Sequence, residues 1–170
     1  GDAIAIGAIT RQCVVERDPL VAARLPLLAR AIPCIGHAAT RARGTIGGSV
    51  AHGDPASDLP AALLALDATY VLQGPGGSRS VAATHFSEGF LETVLAPDEL
   101  LTEIQVRKSG ASGFAYEKFN RRAQDWAIVG AVAARVSGGT HVALVNMGTT
   151  VLRATAVETA LAQGASPVDA

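Results

Sequence analysis

The sequence predicts an α+β fold, on three observations. Short apolar stretches at 3–9, 101–106, 114–119 and 128–136 have the length and composition of strands. Two Asp-containing starts, Asp18-Pro19 and Asp58-Leu59-Pro60, open helical stretches. Between 69–73 and 78–82 the run Gly74-Pro75-Gly76-Gly77 is a β-hairpin signature.

The elements follow in order. Residues 3–9 read as a strand. Asp18 caps a helix with Pro19 at its first position, and Leu20, Ala23, Leu27, Leu28 and Ala31 fall on one face. Pro26 interrupts it, which predicts a kink or two short helices, and Pro33 ends it. A loop over 36–44 leads into a glycine-rich motif, and 61–66 form a short apolar helix. After the hairpin, 85–91 read as a short helix and 101–106 as a half-buried strand around Ile104 and Val106. The small, flexible run 109–113 divides the chain into blocks 1–108 and 113–170. The second block holds a strand over 114–119, a helix or turn at 124–127, and strands over 128–136 and 141–146. It ends in a helix over 155–162 closed by Gly164.

Composition narrows the function. The chain has 170 residues, of which 49% are hydrophobic and only 4% aromatic, so its core is built from Ala, Val, Leu and Ile. A net charge of −1 makes no case for nucleic acid or an anionic membrane. No apolar run reaches the roughly 18 residues a membrane helix needs. Cys13 and Cys34 lack metal-ligand or disulfide-framework spacing and read as small buried residues in a reducing, cytoplasmic compartment. His37, His85 and His141 read as structural or surface, so no metal site is expected.

The most informative stretch is 41–60, RARGTIGGSVAHGDPASDLP. Its glycines permit positive φ and close approach of a ligand to the backbone, and successive N–H groups there can form an anion nest. Ile46, Val50 and Ala51 anchor it from below. TIGGS followed by DPASDLP resembles the second FAD-binding loop of the flavoprotein subunit of molybdenum hydroxylases, the carbon monoxide dehydrogenase and xanthine dehydrogenase type. The resemblance extends over 6–10, 25–37, 59–68, 71–77, 96–106 and 114–127, nearly the whole chain. It implies part of a PCMH-type FAD-binding domain over 1–108, then the start of the family's C-terminal α/β flavoprotein domain over 113–170. The family's first glycine-rich phosphate loop has no match here, so the chain reads as an internal segment of a longer subunit.

The resemblance also implies the site. Gly44, Thr45, Ile46, Gly47, Gly48 and Ser49 would lie along FAD, by their amides and the two hydroxyls. His52 falls where the family approaches the isoalloxazine, against the plainer reading of a structural loop histidine, and Asp58 matches a carboxylate near the ribityl and ring region, while also suiting a helix N-cap. Lys118 matches a basic residue near the flavin, against the plainer reading of a solvated lysine. Leu101, or its neighbour Leu100, matches a position packing on the flavin, against plain core. Arg41 and Arg43 are candidates for phosphate or simple loop arginines. Asp54 suits a turn cap. Arg121, Arg122 and Asp125 read as an ion pair fixing the Trp126 segment.

By the same resemblance the chain is an FAD-binding electron-transfer subunit of a molybdenum hydroxylase. Substrate is oxidised at a molybdopterin centre on a large subunit. Electrons pass through two [2Fe–2S] clusters on a small subunit, reach FAD and leave to an external acceptor, in a dimer of heterotrimers. No catalytic acid, base or nucleophile is expected here. The alternatives are a stand-alone FAD-dependent oxidoreductase of the same fold and a scaffold subunit without flavin.

Overall fold

The structure, a computed structural model, describes residues 2–108 and 113–170. Strand β1 (Ala3–Gly7) alternates exposed and buried residues, with Ile4 and Ile6 inward. Helices α1 (Gln12–Arg17), α2 (Pro19–Arg24) and α3 (Pro26–Ala31) follow, then a 3₁₀ turn over Ile32–Cys34. Asp18 caps α2, its Oδ1 accepting from Leu20 N at 2.8 Å and Val21 N at 3.2 Å. Pro26 breaks the segment into two helices, as expected, and begins α3, where its missing N–H is not needed. The break resets the helical phase. Val21 therefore faces inward in α2, whereas Leu20 and Ala23, expected on the buried face, are exposed.

The stretch expected as a loop, 36–44, contains helix α4 (Ala38–Arg43). Its alanines and arginines are strong helix formers, but it buries no residue and so carries no apolar period. Helix α5 (Ile46–Ala51) takes up the glycine motif, and α6 (Asp58–Ala65) is buried along its whole length. A helix apolar on every side suits the centre of a core. Strands β2 (Thr69–Gly74) and β3 (Gly77–Ala82) form the expected hairpin, with Gly77 at φ 116° in the turn. Residues 85–91 do not form a helix. A 3₁₀ turn at Ala83–His85 leads into a ribbon of β4 (Ser87–Gly89) and β5 (Glu92–Thr93), reversed at Leu91 with φ 59°.

Strand β6 (Leu100–Arg107) completes an antiparallel sheet of order β1-β6-β2-β3, with Ile6 and Tyr70 both opposite Ile104. Residues 109–112, most of the expected boundary, lie outside the described residues. Strands β7 (Phe114–Phe119), β8 (Val129–Val136), β9 (Gly139–Val145) and β10 (Leu152–Arg153) form a second antiparallel sheet of order β10-β9-β8-β7. Helix α7 (Thr155–Ala162) packs on β9 and is followed by Gly164 at φ 91°. The segment 124–127 is a turn, not a helix.

One hydrophobic cluster runs from Ile4 through α3, α5 and α6 to Val132 and Val145. It contains a T-shaped Tyr70–Phe86 pair with centroids 4.8 Å apart. Cys13 and Cys34 are free thiols and only half-buried, less than expected. Among the described residues no ion pair involves Arg121, Arg122 or Asp125; all three are exposed in the 121–126 turn. His141 lies 3.1 Å from Ala65 O and 3.3 Å from Asp67 Oδ2. No helix among the described residues is long and apolar enough to cross a membrane.

Candidate functional site

The glycine motif is built into the end of β1. Gln12 N donates to Gly44 O at 2.9 Å, Ile46 N to Thr10 O at 3.0 Å and Gly47 N to Ala8 O at 2.8 Å. Thr45 is the N-cap of α5, its Oγ1 accepting from Gly48 N at 3.0 Å, and Ser49 N donates to Thr45 O at 3.2 Å. The amides of Ile46 through Ser49 are thus bonded within the protein, and the expected anion nest of free N–H groups is not formed. Nor do these glycines turn through positive φ; in 41–60 only Gly53, at 66°, does so. Gly47 is required for packing instead. A Cβ on it would lie 2.4 Å from Ala8 Cβ and 2.7 Å from Ala8 O.

Beside this segment opens a cleft of about 630 Å³, within the usual range for small-molecule sites. One wall is Arg11, Gln12, Arg43, Gly44, Thr45, Gly48, Ser49 and His52. Another carries Ile35, Gly36, His37 and Thr40. Ser57, Asp58 and Lys118 line it further, with Gln124, Asp125 and the exposed indole of Trp126 at its margin.

Seven of the ten expected site residues therefore converge: Gly44, Thr45, Gly48, Ser49 and His52 from one segment, Asp58 from α6 and Lys118 from β7. Three do not line the cleft. Ile46 is fully buried in the core, Gly47 is spent against Ala8, and Leu101 is half-buried on β6 opposite Leu72. Its neighbour Leu100 is exposed elsewhere. Arg41 is also withdrawn. It pairs with Glu16 at 2.9 Å and donates to the carbonyls of Ile35 and Gly36, bracing the turn before α4. Asp54 caps a turn as expected, accepting from Ala56 N at 2.8 Å.

Lys118 is not a solvated lysine. Its Nζ lies 3.0 Å from Asp58 Oδ2 and 3.0 Å from Cys34 O, and its third N–H has no protein acceptor among the described residues. Asp58 is not the N-cap of α6, which is Ser57. The carboxylate is held instead by Lys118 on one oxygen and the Tyr116 hydroxyl on the other. Burial raises the Asp58 carboxyl above the usual carboxylate value, against the opposing pull of Tyr116 and Lys118. Burial, and then the Asp58 charge, push the Tyr116 phenol well above its ordinary value. Strand alternation places Tyr116 and Lys118 on one face of β7.

Sequence reasoning missed Arg11, Gln12 and Tyr116. The i, i+2 spacing of Tyr116 and Lys118 is a legible signal. Arg11 and Gln12 carry none, because their place depends on the contact between the end of β1 and α5.

Residues 1–108 match the family model described as the FAD binding domain in molybdopterin dehydrogenase. The chain belongs to this family of FAD-binding domains. The carbon monoxide dehydrogenase medium chain of Hydrogenophaga pseudoflava is 44% identical over 159 residues, covering 90% of this chain and 55% of that one. The glyceraldehyde dehydrogenase medium chain of Sulfolobus acidocaldarius is 39% identical over 136 residues, covering 79% and 48%. The solved carbon monoxide dehydrogenase from H. pseudoflava lacking the Mo-pyranopterin moiety superposes with a TM-score of 0.90 at 44% identity, over 94% of this chain and 58% of that one. Quinoline 2-oxidoreductase from Pseudomonas putida 86 gives 0.87 at 28% identity, over 94% and 57%. The chain spans about half the length of the curated relatives it matches.

The cleft fits the family's cofactor by its donor set. Exposed guanidinia of Arg11 and Arg43 suit a diphosphate, the hydroxyls of Thr40, Thr45, Ser49 and Ser57 suit a polyol, and Trp126 offers an aromatic face. Gln12 Oε1, buried without a partner, marks this wall as one that lacks a hydrogen-bond donor.

Proposed function

We propose that this chain is the FAD-carrying part of the medium subunit of a molybdenum hydroxylase. On this reading it takes electrons from [2Fe–2S] clusters on a small subunit, fed by a molybdopterin-binding large subunit, and passes them to an external acceptor. The assembly is a dimer of heterotrimers in the cytoplasm, and the chain divides into an FAD-binding block over 1–108 and a second flavoprotein block from 113. The observation that carries the reading is the cleft itself, where Gly44, Thr45, Gly48, Ser49, His52, Asp58 and Lys118 meet. Relatives named as medium chains of dehydrogenases support it.

FAD, when bound, supplies a redox centre that exchanges electrons between partners. The chain's own residues hold and orient it. Arg11 and Arg43 offer guanidinia to the phosphates, and Thr45 and Ser49 offer hydroxyls. Lys118, fixed by Asp58 and Cys34 O, keeps one N–H that would be available to an acceptor on the ligand at the base of the cleft. No acid, base or nucleophile toward a substrate is assigned to this chain.

The test is the visible spectrum of the purified chain, with identification of flavin released on denaturation and titration of the flavin-free chain with FAD. Stoichiometric FAD is expected. A chain that neither retains nor takes up FAD overturns the cofactor reading.

A further inference from the structure

Gln12 is the first residue of α1 and is only 3% exposed, yet it forms part of the cleft wall. Its backbone N–H is fixed to Gly44 O, and its side chain lies flat against Gly44. A Cβ on Gly44 would meet Cδ, Nε2 and Oε1 of Gln12 at 3.1 Å each, so any larger residue there would press on the amide. Nε2 donates to Ser49 Oγ at 2.8 Å. Oε1 is the one buried side-chain nitrogen or oxygen among the described residues that has no hydrogen-bond partner. A buried acceptor left unmatched is costly, and in folded proteins such an atom calls for a partner from outside the chain.

The neighbours narrow the partner. Because Ser49 Oγ accepts from Gln12, the Ser49 proton is free to be donated elsewhere. The wall thus offers an acceptor, Gln12 Oε1, next to a donor, Ser49 Oγ–H. An alcohol is both donor and acceptor, so this pair matches hydroxyl groups. Arg11 and Arg43 flank it, the guanidinium of Arg11 donating to Arg43 O, and offer charge to a nearby phosphate. We propose that Gln12 and Ser49 together read the hydroxylated sugar or polyol portion of the flavin nucleotide, with Gln12 as a binding residue rather than a structural one. This rests on the FAD reading above.

The test compares the flavin-free 170-residue chain with its Gln12→Leu, Ser49→Ala and doubly substituted variants. Affinity for FAD is read by titration and the melting temperature is read without FAD. Gln12→Leu is expected to weaken FAD binding about tenfold, the effect of one lost hydrogen bond to a buried group. Its melting temperature without FAD is expected to hold or rise, because the unmatched oxygen is gone. The double variant is expected to bind scarcely worse than the weaker single one, since the two residues act as a unit. Unchanged FAD affinity in Gln12→Leu overturns the assignment, as does an affinity loss matched by an equal loss of stability. A readout that needs no variant is the side-chain amide resonance of Gln12 in the wild-type chain, expected to shift at saturating FAD; an unmoved resonance overturns the proposal. Failure of the wild-type chain to bind FAD is a distinct outcome, and it overturns the cofactor reading together with this inference.

Discussion

Lys118 Nζ stands 3.0 Å from Asp58 Oδ2, with only 7% and 5% of the two side chains exposed. The pair joins the first turn of α6 to β7, sixty positions away in the chain. Tyr116 holds the other carboxylate oxygen, so three polar groups from two elements satisfy one another at the base of the cleft. A buried ion pair is weak evidence for stability in itself, but removing one member leaves the other uncompensated.

Asp58→Asn is therefore expected to destabilise the chain by about 3 kcal/mol. Lys118→Met is expected to cost less, because Asp58, already raised by burial, can take up a proton and keep its bond to Tyr116. The sign of the pH effect follows. With its folded-state value above the unfolded one, Asp58 contributes stability at low pH that is lost as pH rises through the folded-state value. Lys118→Met removes the cation that opposes this shift, so its deficit relative to wild type shrinks on acidification. Urea unfolding of both variants at neutral and mildly acidic pH checks this; a deficit for Lys118→Met that does not change with pH rules the argument out.

The opposite sign is expected at Glu99. Its carboxylate grips Arg79 through two contacts at 2.6 and 2.7 Å and accepts from Ala96 N at 3.0 Å. These bonds, Arg79 first, lower it from 4.5 to about 2. A lowered carboxylate contributes stability above its unfolded value and loses it as pH falls toward the folded one. Glu99→Gln is expected to melt below wild type at neutral pH, with the gap closing between pH 4.5 and about 2. Asp58 is common to both proteins and cancels. Thermal melts across that window are the measurement, and a constant gap contradicts the linkage.

What the sequence revealed depended on the range of the interaction. Local rules placed Asp18 as a cap, Pro26 as a break and Gly74–Gly77 as a hairpin turn, because each acts on its immediate neighbours. Helix α4 escaped because no apolar period marks it, and Leu20 was misplaced because the period was read across the Pro26 break. Part of the glycine motif lines the candidate cleft, yet it forms a helix where a nest of free amides is expected. Its glycines serve a helix that packs on Ala8, a residue distant in sequence whose nearness no local pattern records. Gln12 was missed for the same reason, since it takes its meaning from Ser49, brought close only by the fold, whereas the spacing that puts Tyr116 on one face of β7 with Lys118 is local.

The two adjacent glycines of the motif are expected to behave differently. A Cβ on Gly47 collides with the Ala8 backbone, which cannot move without disturbing β1. Gly47→Ala is expected to cost about 2 kcal/mol or more in folding. A Cβ on Gly48 meets only Thr45 Oγ1, at 2.7 Å, and Gly48 itself lines the cleft. Gly48→Ala is expected to cost no more than about 1 kcal/mol through the disturbed cap, while weakening FAD binding by intruding on the ligand. Melting temperature and FAD affinity, measured on both, separate the packing role from the site role. Equal effects on both readouts contradict the division.

The arginines divide in the same way. Arg41 is half-buried and occupied by Glu16 and two carbonyls, so Arg41→Ala is expected to lower stability by about 1–2 kcal/mol, with little effect on ligand affinity once folded. Arg11 and Arg43 are exposed on the cleft wall and meet no carboxylate among the described residues. Their charge is therefore available to a ligand phosphate. Arg11→Ala and Arg43→Ala are each expected to weaken FAD several-fold, to reduce the salt dependence of binding, and to leave riboflavin, which has no phosphate, unaffected. Titration of both flavins at low and high salt decides it. A loss of riboflavin affinity as large as that of FAD would move the phosphate away from this wall and place the ring there instead.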